Sequence, residues 1–220
     1  MMQTMQEVHQ GQPVYTLGTK LEEATAAVIL AHGRAAAAHD ILQLAQELEQ
    51  PGVVFLAPQA AGNTWYPFSF LEPVERNEPG LSSALRVLAD LVEQVEAVGI
   101  PAQRIVLGGF SQGACLTSEF VACTPRRYGG LLALSGGVIG PLGSPRTRAP
   151  SGRGSVEGMP VLIGCSDVDP HIPLARVHET ADVFRTLGGD VRLQVYPGMG
   201  HVINQDEIDR AREIVRAAAS

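Results

Sequence analysis

A serine set between two glycines is the residue of this sequence with the clearest chemical use. It lies in the run Gly109-Phe110-Ser111-Gln112-Gly113, which has the form G-x-S-x-G and separates an apolar run from a segment with helical spacing. A turn this tight brings the positions two residues before and after the serine so close together that only glycine fits there. The serine oxygen would project above a sheet, and the following helix would offer unpaired N–H groups to an oxyanion. The run therefore predicts a nucleophile elbow with Ser111 as the nucleophile.

A serine hydroxyl needs a base to take its proton, and the base needs a third group that fixes its tautomer. Proteins with this elbow carry the three groups in the chain order serine, acid, histidine. His201 fits the position of the base, since it follows the last apolar run in a glycine-rich segment. Asp167 and Asp169 both follow the fifth apolar run with the same strand parity, so spacing leaves either of them open as the orienting acid.

The other five histidines are weaker candidates for the base. His178 lies inside a predicted helix, where a half-buried structural role is expected. His171 is only two residues from Asp169, which is too close in sequence for it to be both the hydrogen-bond partner of that acid and the base for Ser111. His32 ends a strand and is expected to brace its loop by hydrogen bonds. His9 and His39 are expected to face solvent.

Short apolar runs alternate with helical segments along the whole chain. Six runs rich in Val, Ile and Leu lack polar alternation, as strands covered on both faces do; they are 27–30, 53–56, 105–107, 131–134, 161–163 and 191–196. Helical spacing is found in between, at 41–48, 81–95, 112–122, 174–187 and 208–219. This rhythm predicts an α/β protein with a mostly parallel central sheet, helices on both faces and ligands at the carboxyl ends of the strands. The length predicts one domain, 1–220, with no separate cap domain.

Composition excludes several classes of function. The net charge of −7 argues against nucleic acid as a partner, because binding a phosphate backbone needs a clustered basic face. No apolar run approaches the roughly 18 residues of a membrane span. The N-terminus has neither a basic start nor an apolar stretch, which predicts a cytoplasmic protein without a secretory signal. Cys115, Cys123 and Cys165 are an odd number at unrelated spacings, which favours free thiols.

Three other interpretations of these residues compete with the serine site. A metal-dependent hydrolase would use Asp167, Asp169, His171 and His178, but their spacing matches no familiar zinc or two-metal signature. A nucleotide site would need G-x-G-x-x-G or a Walker lysine, and the chain offers neither at its glycine-rich turn. A hydrolase fold that only binds its ligand, without turnover, stays open. We expect no metal and no organic cofactor.

Motifs spread over nearly the whole chain resemble a known family. In chain order they are His32-Gly33, Ala57-Pro58, Trp65-Tyr66-Pro67, Gly99-Ile100-Pro101, Gly109-Phe110-Ser111-Gln112-Gly113, Ser135-Gly136-Gly137, Asp167-Val168-Asp169-Pro170-His171-Ile172-Pro173 and Gly198-Met199-Gly200-His201. Together the motifs resemble the phospholipase/carboxylesterase family of the α/β-hydrolase superfamily, small serine esterases that include acyl-protein thioesterases. The resemblance implies Ser111 as nucleophile, His201 as base and Asp169 as acid, since the family's acid precedes a proline.

The resemblance also implies an oxyanion hole and a substrate pocket. The family's two backbone N–H donors correspond to those of Arg34 and Gln112, whose side chains are not required. Where the family often has Gly-x-Gly, this chain has Ala35 after Arg34, which leaves the geometry of that loop open. Trp65 and Tyr66, in a segment with several aromatic residues, are expected to form a wall of the substrate pocket.

The activity implied by the resemblance is that of a serine carboxylesterase acting on esters with short to medium acyl chains through an acyl-enzyme. Acyl-protein thioesterase or lysophospholipase activity is the alternative. The expected partner is a small-molecule ester or thioester, without membrane insertion. Because the family includes dimers, a homodimer is an open alternative to a monomer. Without a cap domain the site is expected to be shallow and open.

Overall fold

Seven strands in one sheet and five α-helices make up the computed structural model, which describes residues 7–144 and 154–220. The strands are β1 (Val14–Gly18), β2 (Ala26–Ala31), β3 (Val53–Pro58), β4 (Ile105–Phe110), β5 (Gly130–Leu134), β6 (Pro160–Ser166) and β7 (Asp190–Tyr196). The helices are α1 (Ala38–Glu47), α2 (Gly80–Ala97), α3 (Gln112–Cys123), α4 (Leu174–Thr186) and α5 (Gln205–Ala219). The order in the sheet is β1-β3-β2-β4-β5-β6-β7. All six predicted runs are strands, and the predicted mostly parallel α/β sheet is confirmed.

The edge strand β1 was not among the predicted strands. It pairs antiparallel with β3, so that Val14 lies opposite Pro58 and Gly18 opposite Val54. Its residues alternate between exposed and half-buried positions, and the strand has only five residues. A short amphipathic segment of this kind becomes a strand only through its partner, which is distant in the sequence.

The apolar strands have cores on both sides. In β2, Ala27 and Ile29 pack on the side of α2, α3 and α4, whereas Val28 and Leu30 pack on the side of α1 and α5. These four side chains have at most 1% of their surface exposed. Burying an Ile or Leu side chain completely contributes about 1.5–3 kcal/mol. The missing polar alternation in the sequence is therefore explained by helices that cover both faces.

The strand order reverses direction between β2 and β4, and this reversal positions the candidate site. From β2 the chain continues through α1 to β3 on one side, while β4 lies on the other side of β2. The loops that leave the carboxyl ends of β2 and β4 therefore start side by side and diverge, which opens a crevice between them. Arg34 follows β2 and Ser111 follows β4, so both lie at this crevice.

The described residues also bear on the expectations drawn from composition. Within the described ranges Cys115, Cys123 and Cys165 form no disulfide bond, as predicted. No helix among the residues described is long and apolar enough to span a membrane. Within 7–144 and 154–220 no three His, Cys, Asp or Glu side chains are grouped as metal ligands would be. Residues 1–6, on which part of the secretory-signal prediction rests, lie outside the described ranges.

Candidate active site

Ser111 lies at a sharp turn between β4 and α3. Its backbone has φ 55° and ψ −119°, a sparsely populated conformation that costs of order 1–3 kcal/mol and is maintained by the surrounding structure. Its N–H donates to the carbonyl of Leu134 at 3.0 Å, and its own carbonyl accepts from the N–H of Cys115 at 3.0 Å. A Cβ atom on Gly113 would lie 2.0 Å from the carbonyl oxygen of Ala31, so the glycine is required. The turn has the geometry that the G-x-S-x-G pattern predicts.

His201 is held by a buried carboxylate. Its Nδ1 lies 2.7 Å from Oδ2 of Asp169, whose side chain is completely buried, while 17% of the histidine side chain is exposed. The other carboxylate oxygen, Oδ1, accepts from the backbone N–H groups of His171 at 2.8 Å and Ile172 at 3.0 Å. Burial alone would raise the pKa of Asp169, but the hydrogen bonds from His201 and the two amides outweigh it and lower the pKa. A charged Asp169 fixes the tautomer in which Nδ1 carries the proton and Nε2 is free to act as a base.

Asp167, the competing acid, has a different partner. Its Oδ1 accepts a hydrogen bond from the N–H of Gly198 at 2.8 Å. Gly198 lies three residues before His201, in the loop that leaves β7. Asp167 therefore holds the loop that carries the histidine, whereas Asp169 contacts the imidazole itself.

Ser111 and His201 line one cavity of about 530 Å³ at the crevice. The ring of Phe110 lies 4.7 Å from the His201 ring, and the ring of His171 lies 4.8 Å from it, so the imidazole is flanked by two rings. Among the described residues no hydrogen bond from the Ser111 hydroxyl is present, to His201 or to any other group. Hydrogen bonds of this kind often form or shorten only when substrate is bound. The arrangement therefore combines an oriented imidazole and a half-buried serine in one cavity.

The loop after β2 packs directly on the elbow. A Cβ atom on Gly33 would lie 3.5 Å from Cβ of Ser111, which shows how closely the two segments approach. Ala35 has φ 61°, in the left-handed region that favours glycine, and its N–H donates to the carbonyl of Asn63 at 2.8 Å. The N–H groups of Arg34 and Gln112 donate no hydrogen bond within the described part of the chain. Both amides are therefore free to donate to a ligand.

The side chain of Gln112 has a second role, which the sequence did not indicate. Its Oε1 accepts from the N–H of Trp65 at 3.0 Å, and its Nε2 donates to the carbonyl of Tyr66 at 2.9 Å. The side chain is 5% exposed. Gln112 thus joins the start of α3 to the segment that follows β3, here called the strap segment and defined as residues 64–68.

The side chain of Arg34 binds the same strap segment. Its Nη1 donates to the carbonyl of Pro67 at 2.9 Å and to the hydroxyl of Thr64 at 3.2 Å, and its Nη2 donates to the carbonyl of Phe68 at 2.6 Å. A planar guanidinium can reach several carbonyl groups at once, which a lysine ammonium cannot do in the same way. The expectation that the side chain of Arg34 has no role is therefore incomplete, because both residues with free amides also hold the strap segment in place. No local pattern could have shown this, since the bonded groups lie 30–48 residues apart.

Trp65 and Tyr66 occupy different places. Tyr66 lines the cavity together with Phe68 and Phe70. Trp65 is fully buried, is absent from the cavity wall, and donates its indole N–H to the carbonyl of His32 at 2.9 Å. This corrects the expectation that Trp65 forms part of the pocket wall. The indole N–H needs a partner when it is buried, and the carbonyl at the end of β2 supplies one.

Two buried histidines, His32 and His9, contact the backbone of the loops around the site. His32 contacts the carbonyl of Gly33 through Nδ1 at 2.8 Å and accepts from the N–H of Ala60 through Nε2 at 3.1 Å, as expected of a bracing residue. His9 was expected to face solvent, which is wrong: it is 2% exposed and contacts the carbonyl of Trp65 through Nε2 at 2.9 Å. Burial lowers the pKa of both histidines. Each therefore remains a neutral ring that supports the loops of the site.

Comparisons with known proteins agree with this fold and with the motifs. A family model described as Phospholipase/Carboxylesterase matches residues 16–218. The crystal structure of a phospholipase/carboxylesterase from Dyadobacter fermentans DSM 18053 is 38% identical, with a TM-score of 0.89 over 97% of this chain and 100% of that chain. Esterase PE8 is 26% identical, with a TM-score of 0.72 over 93% of this chain and 97% of that chain.

A curated relative carries a related name. Acyl-protein thioesterase 1 from Gibberella zeae is 31% identical over 143 residues, which are 64% of this chain and 60% of the relative. The match thus spans less than two thirds of the length of that relative. The family model, in contrast, covers nearly the whole sequence. This protein therefore belongs to the phospholipase/carboxylesterase family and has the α/β-hydrolase fold.

Proposed function

We propose that this protein is a serine carboxylesterase that hydrolyses carboxylic esters with short to medium acyl chains. The observation that carries the proposal is the hydrogen bond between His201 and the buried Asp169, within the cavity that also contains Ser111 at its strained turn. In the proposed triad Ser111 is the nucleophile, His201 the general base and Asp169 the acid that orients it. The 38% identity to a solved phospholipase/carboxylesterase supports the same assignment of activity.

The proposed reaction has two steps. In acylation, Ser111 Oγ attacks the ester carbonyl while Nε2 of His201 takes its proton, and Asp169 stabilises the imidazolium. The N–H groups of Arg34 and Gln112 bind the oxyanion, and each such donor is worth about 3–4 kcal/mol in the transition state. His201 then gives the proton to the leaving alcohol, and the acyl-enzyme remains. In deacylation, water attacks the acyl-enzyme by the same route.

The shape of the cavity supports acyl chains of limited length. The walls beside Ser111 are apolar and include Tyr66, Phe68, Phe70 and Ile172. Its volume of about 530 Å³ lies within the usual range for small-molecule pockets. No separate cap domain is found among the residues described, so the cavity opens directly to solvent. A long lipid chain would leave much of its apolar surface in water, whereas a short or medium chain would be covered.

Thioester hydrolysis is the second candidate. The name of the Gibberella zeae relative, acyl-protein thioesterase 1, favours it. The same groups would act, but a thiol is a better leaving group than an alcohol because its pKa is near 8.5. Comparing an oxygen ester and a thioester with the same acyl group would rank the two activities. We expect both to be hydrolysed, and a thioester rate no higher than the rate in buffer would exclude the second candidate.

The test of the proposed function is labelling with a fluorophosphonate, followed by intact-mass measurement. We expect one adduct per chain, none on the Ser111→Ala variant, and an unchanged adduct on Ser155→Ala, an exposed serine before β6. A series of 4-nitrophenyl esters should show turnover that falls for long acyl chains. An adduct on the Ser111→Ala variant would overturn the assignment of the nucleophile. Absence of both adduct and turnover would identify a hydrolase fold that only binds its ligand.

A further inference from the structure

A second cavity, of about 330 Å³, adjoins the candidate active site. It lies between α1 and α5, on the opposite side of the elbow from the strap segment. It shares three wall residues with the first cavity, namely Gly33, Ala36 and Phe110. These three belong to the loop after β2 and to the end of β4, the two segments that contribute the free amides and the nucleophile. The second cavity therefore meets the first at these three residues, whereas Ser111 and His201 line only the first cavity. The proposed mechanism does not use the second cavity.

The walls of the second cavity are mainly apolar. Its five large apolar side chains are Ile41, Leu44, Phe110, Ile203 and Ile208. Two carboxylates also border it, and both have partners: Asp40 accepts from the N–H of Ala37 at 2.7 Å, and Glu47 lies 3.8 Å from Arg212. An uncharged apolar group would gain free energy by covering the five side chains. A negatively charged group would be repelled by the two carboxylates.

The position of the cavity relative to His201 indicates which part of a substrate would occupy it. Ile203 follows His201 by two residues, and the ring of Phe110 lies 4.7 Å from the imidazole. In acylation the leaving group must be close to the imidazole, because His201 gives it a proton. The apolar wall of Tyr66, Phe68 and Phe70 in the first cavity would then remain for the acyl group.

We propose that the second cavity is the leaving-group subsite and binds the uncharged, apolar alcohol or thiol part of the substrate. This inference rests on the proposed function. During acylation a bond forms between Ser111 Oγ and the carbonyl carbon, and the bond from that carbon to the leaving oxygen or sulfur breaks. The serine proton passes through His201 to the leaving group, which then departs from the second cavity. The subsite therefore acts in acylation and is empty of substrate during deacylation.

The first experiment measures esters that differ only in the leaving group. Methyl, ethyl, butyl and hexyl butyrate share one acyl group, and their alcohols have similar acidity. We expect kcat/KM to rise by about two- to fourfold for each added methylene that enters the cavity. A series with equal kcat/KM from methyl to hexyl butyrate would overturn the proposal.

The second experiment fills the cavity from two different walls. Leu44→Trp on α1 and Ile208→Trp on α5 should each reduce the ratio of kcat/KM for hexyl over methyl butyrate by at least about tenfold. The matched control is Leu42→Trp. Leu42 also lies on α1 but does not line the cavity, so this variant should keep the wild-type ratio. Reaction with 4-nitrophenyl butyrate forms the butyryl-enzyme in a burst, and the steady rate after the burst measures its hydrolysis. This rate should be the same in both filled variants as in wild type.

Three outcomes separate this inference from the proposed function. If the wild-type chain hydrolyses 4-nitrophenyl butyrate but Leu44→Trp and Ile208→Trp keep the wild-type ratio, the subsite is wrong and the esterase proposal is unaffected. If the filled variants instead change the preference for acyl length in 4-nitrophenyl esters, the cavity binds the acyl group and the inference is overturned. If no ester is hydrolysed, the proposed function itself fails, and the subsite with it.

Discussion

At the scale of single residues, the two neighbouring aspartates after β6 show how one hydrogen bond separates a proposed catalytic group from a supporting one. Asp169 contacts His201 at 2.7 Å, and Asp167 contacts the N–H of Gly198 at 2.8 Å. We expect Asp169→Asn to lower kcat by roughly 10⁴-fold, because the amide no longer fixes the required tautomer of His201. Asp167→Asn should cost less than about tenfold, since its Oδ1 can still accept from Gly198. Steady-state kinetics on one ester, with circular dichroism to check folding, would measure both; a larger loss for Asp167→Asn would reverse the assignment.

Residue types and local spacing indicated part of the site, and the reason lies in how local each requirement is. The glycines of the elbow and the order of Ser111, Asp169 and His201 are constraints that the sequence carries directly. The choice between Asp167 and Asp169 needed the resemblance to a family, because strand parity is the same for both. The roles of the Arg34 and Gln112 side chains could not be predicted, since they depend on hydrogen bonds with backbone groups 33–47 residues away.

At the scale of elements, the strap segment connects the two loops that offer free amides. The side chains of Arg34 and Gln112 both hold it, so a change in one should displace the oxyanion donors as well as the pocket wall. We expect Arg34→Met to lower kcat/KM by about ten- to a hundredfold, because small displacements of reacting groups have effects of this size. Arg34→Lys should not restore the activity, since one ammonium cannot replace the planar fork. Kinetics on 4-nitrophenyl butyrate would test this.

The control for the arginine variants is Arg86→Met. Arg86 is an exposed residue of α2 that pairs with Asp90 at 2.7 Å, far in sequence from the strap segment. The Arg86→Met variant should therefore keep wild-type kinetics. Wild-type activity in Arg34→Met would show that the strap segment holds its place without the guanidinium. Full activity in Arg34→Lys alone would show that the charge, and not the hydrogen-bond geometry, is what matters.

The start of α5 carries a buried acid close to the loop of His201. Glu207 caps the helix by accepting from the N–H of Asn204 at 3.0 Å, but its Oε1 is buried without a hydrogen-bond partner. Burial raises its pKa to about 7 from 4.5. Since the folded state favours the protonated form, the contribution of Glu207 to stability is present below pH 4.5 and is lost as the pH rises through about 7.

Glu207→Gln should remove this pH dependence. Glutamine keeps an acceptor for the N–H of Asn204 and carries no charge, so the variant should gain about 2 kcal/mol more over wild type at pH 8 than at pH 5. Urea unfolding at the two pH values would measure the difference. Glu213→Gln, an exposed position on the same helix, should show no such gain. An equal effect of Glu207→Gln at both pH values would contradict the argument.

A helix or strand could be predicted from the sequence where its pattern of burial is visible in the residue types. Strands β2 to β6 were predictable because helices cover both faces and leave no polar alternation. The edge strand β7 is less buried and alternates with Arg192 and Gln194, so its prediction depended on its Val and Leu residues. Helix α5 begins at Gln205, three residues before its first predicted position, because Asn204 and Glu207 form a capping box ahead of the apolar stripe. Strand β1 could not be predicted, since its pairing with β3 depends on a partner 40 residues away.

At the scale of the whole molecule, the segment before β1 is bound to the far side of the site. The N–H groups of Val8 and His9 donate to the hydroxyl of Ser83 on α2, at 3.0 and 2.9 Å. His9 also accepts from the N–H of Ala61 through Nδ1 at 3.1 Å and contacts the carbonyl of Trp65. His9 thus joins the beginning of the chain to the strap segment through its imidazole and to α2 through its backbone N–H.

This network predicts a pH-dependent contribution of His9 to the stability of the whole chain. Both ring nitrogens are used by a neutral imidazole, and burial lowers the pKa of His9 below 6.5. Its contribution is therefore present above pH 6.5 and is lost as the pH falls through the lowered pKa. We expect His9→Ala to lower the free energy of unfolding by about 1–3 kcal/mol at pH 8 and by clearly less at pH 5. His39→Ala, an exposed histidine on α1, should have little effect at either pH, and an equal loss for His9→Ala at both would show that the lost contacts do not depend on its protonation.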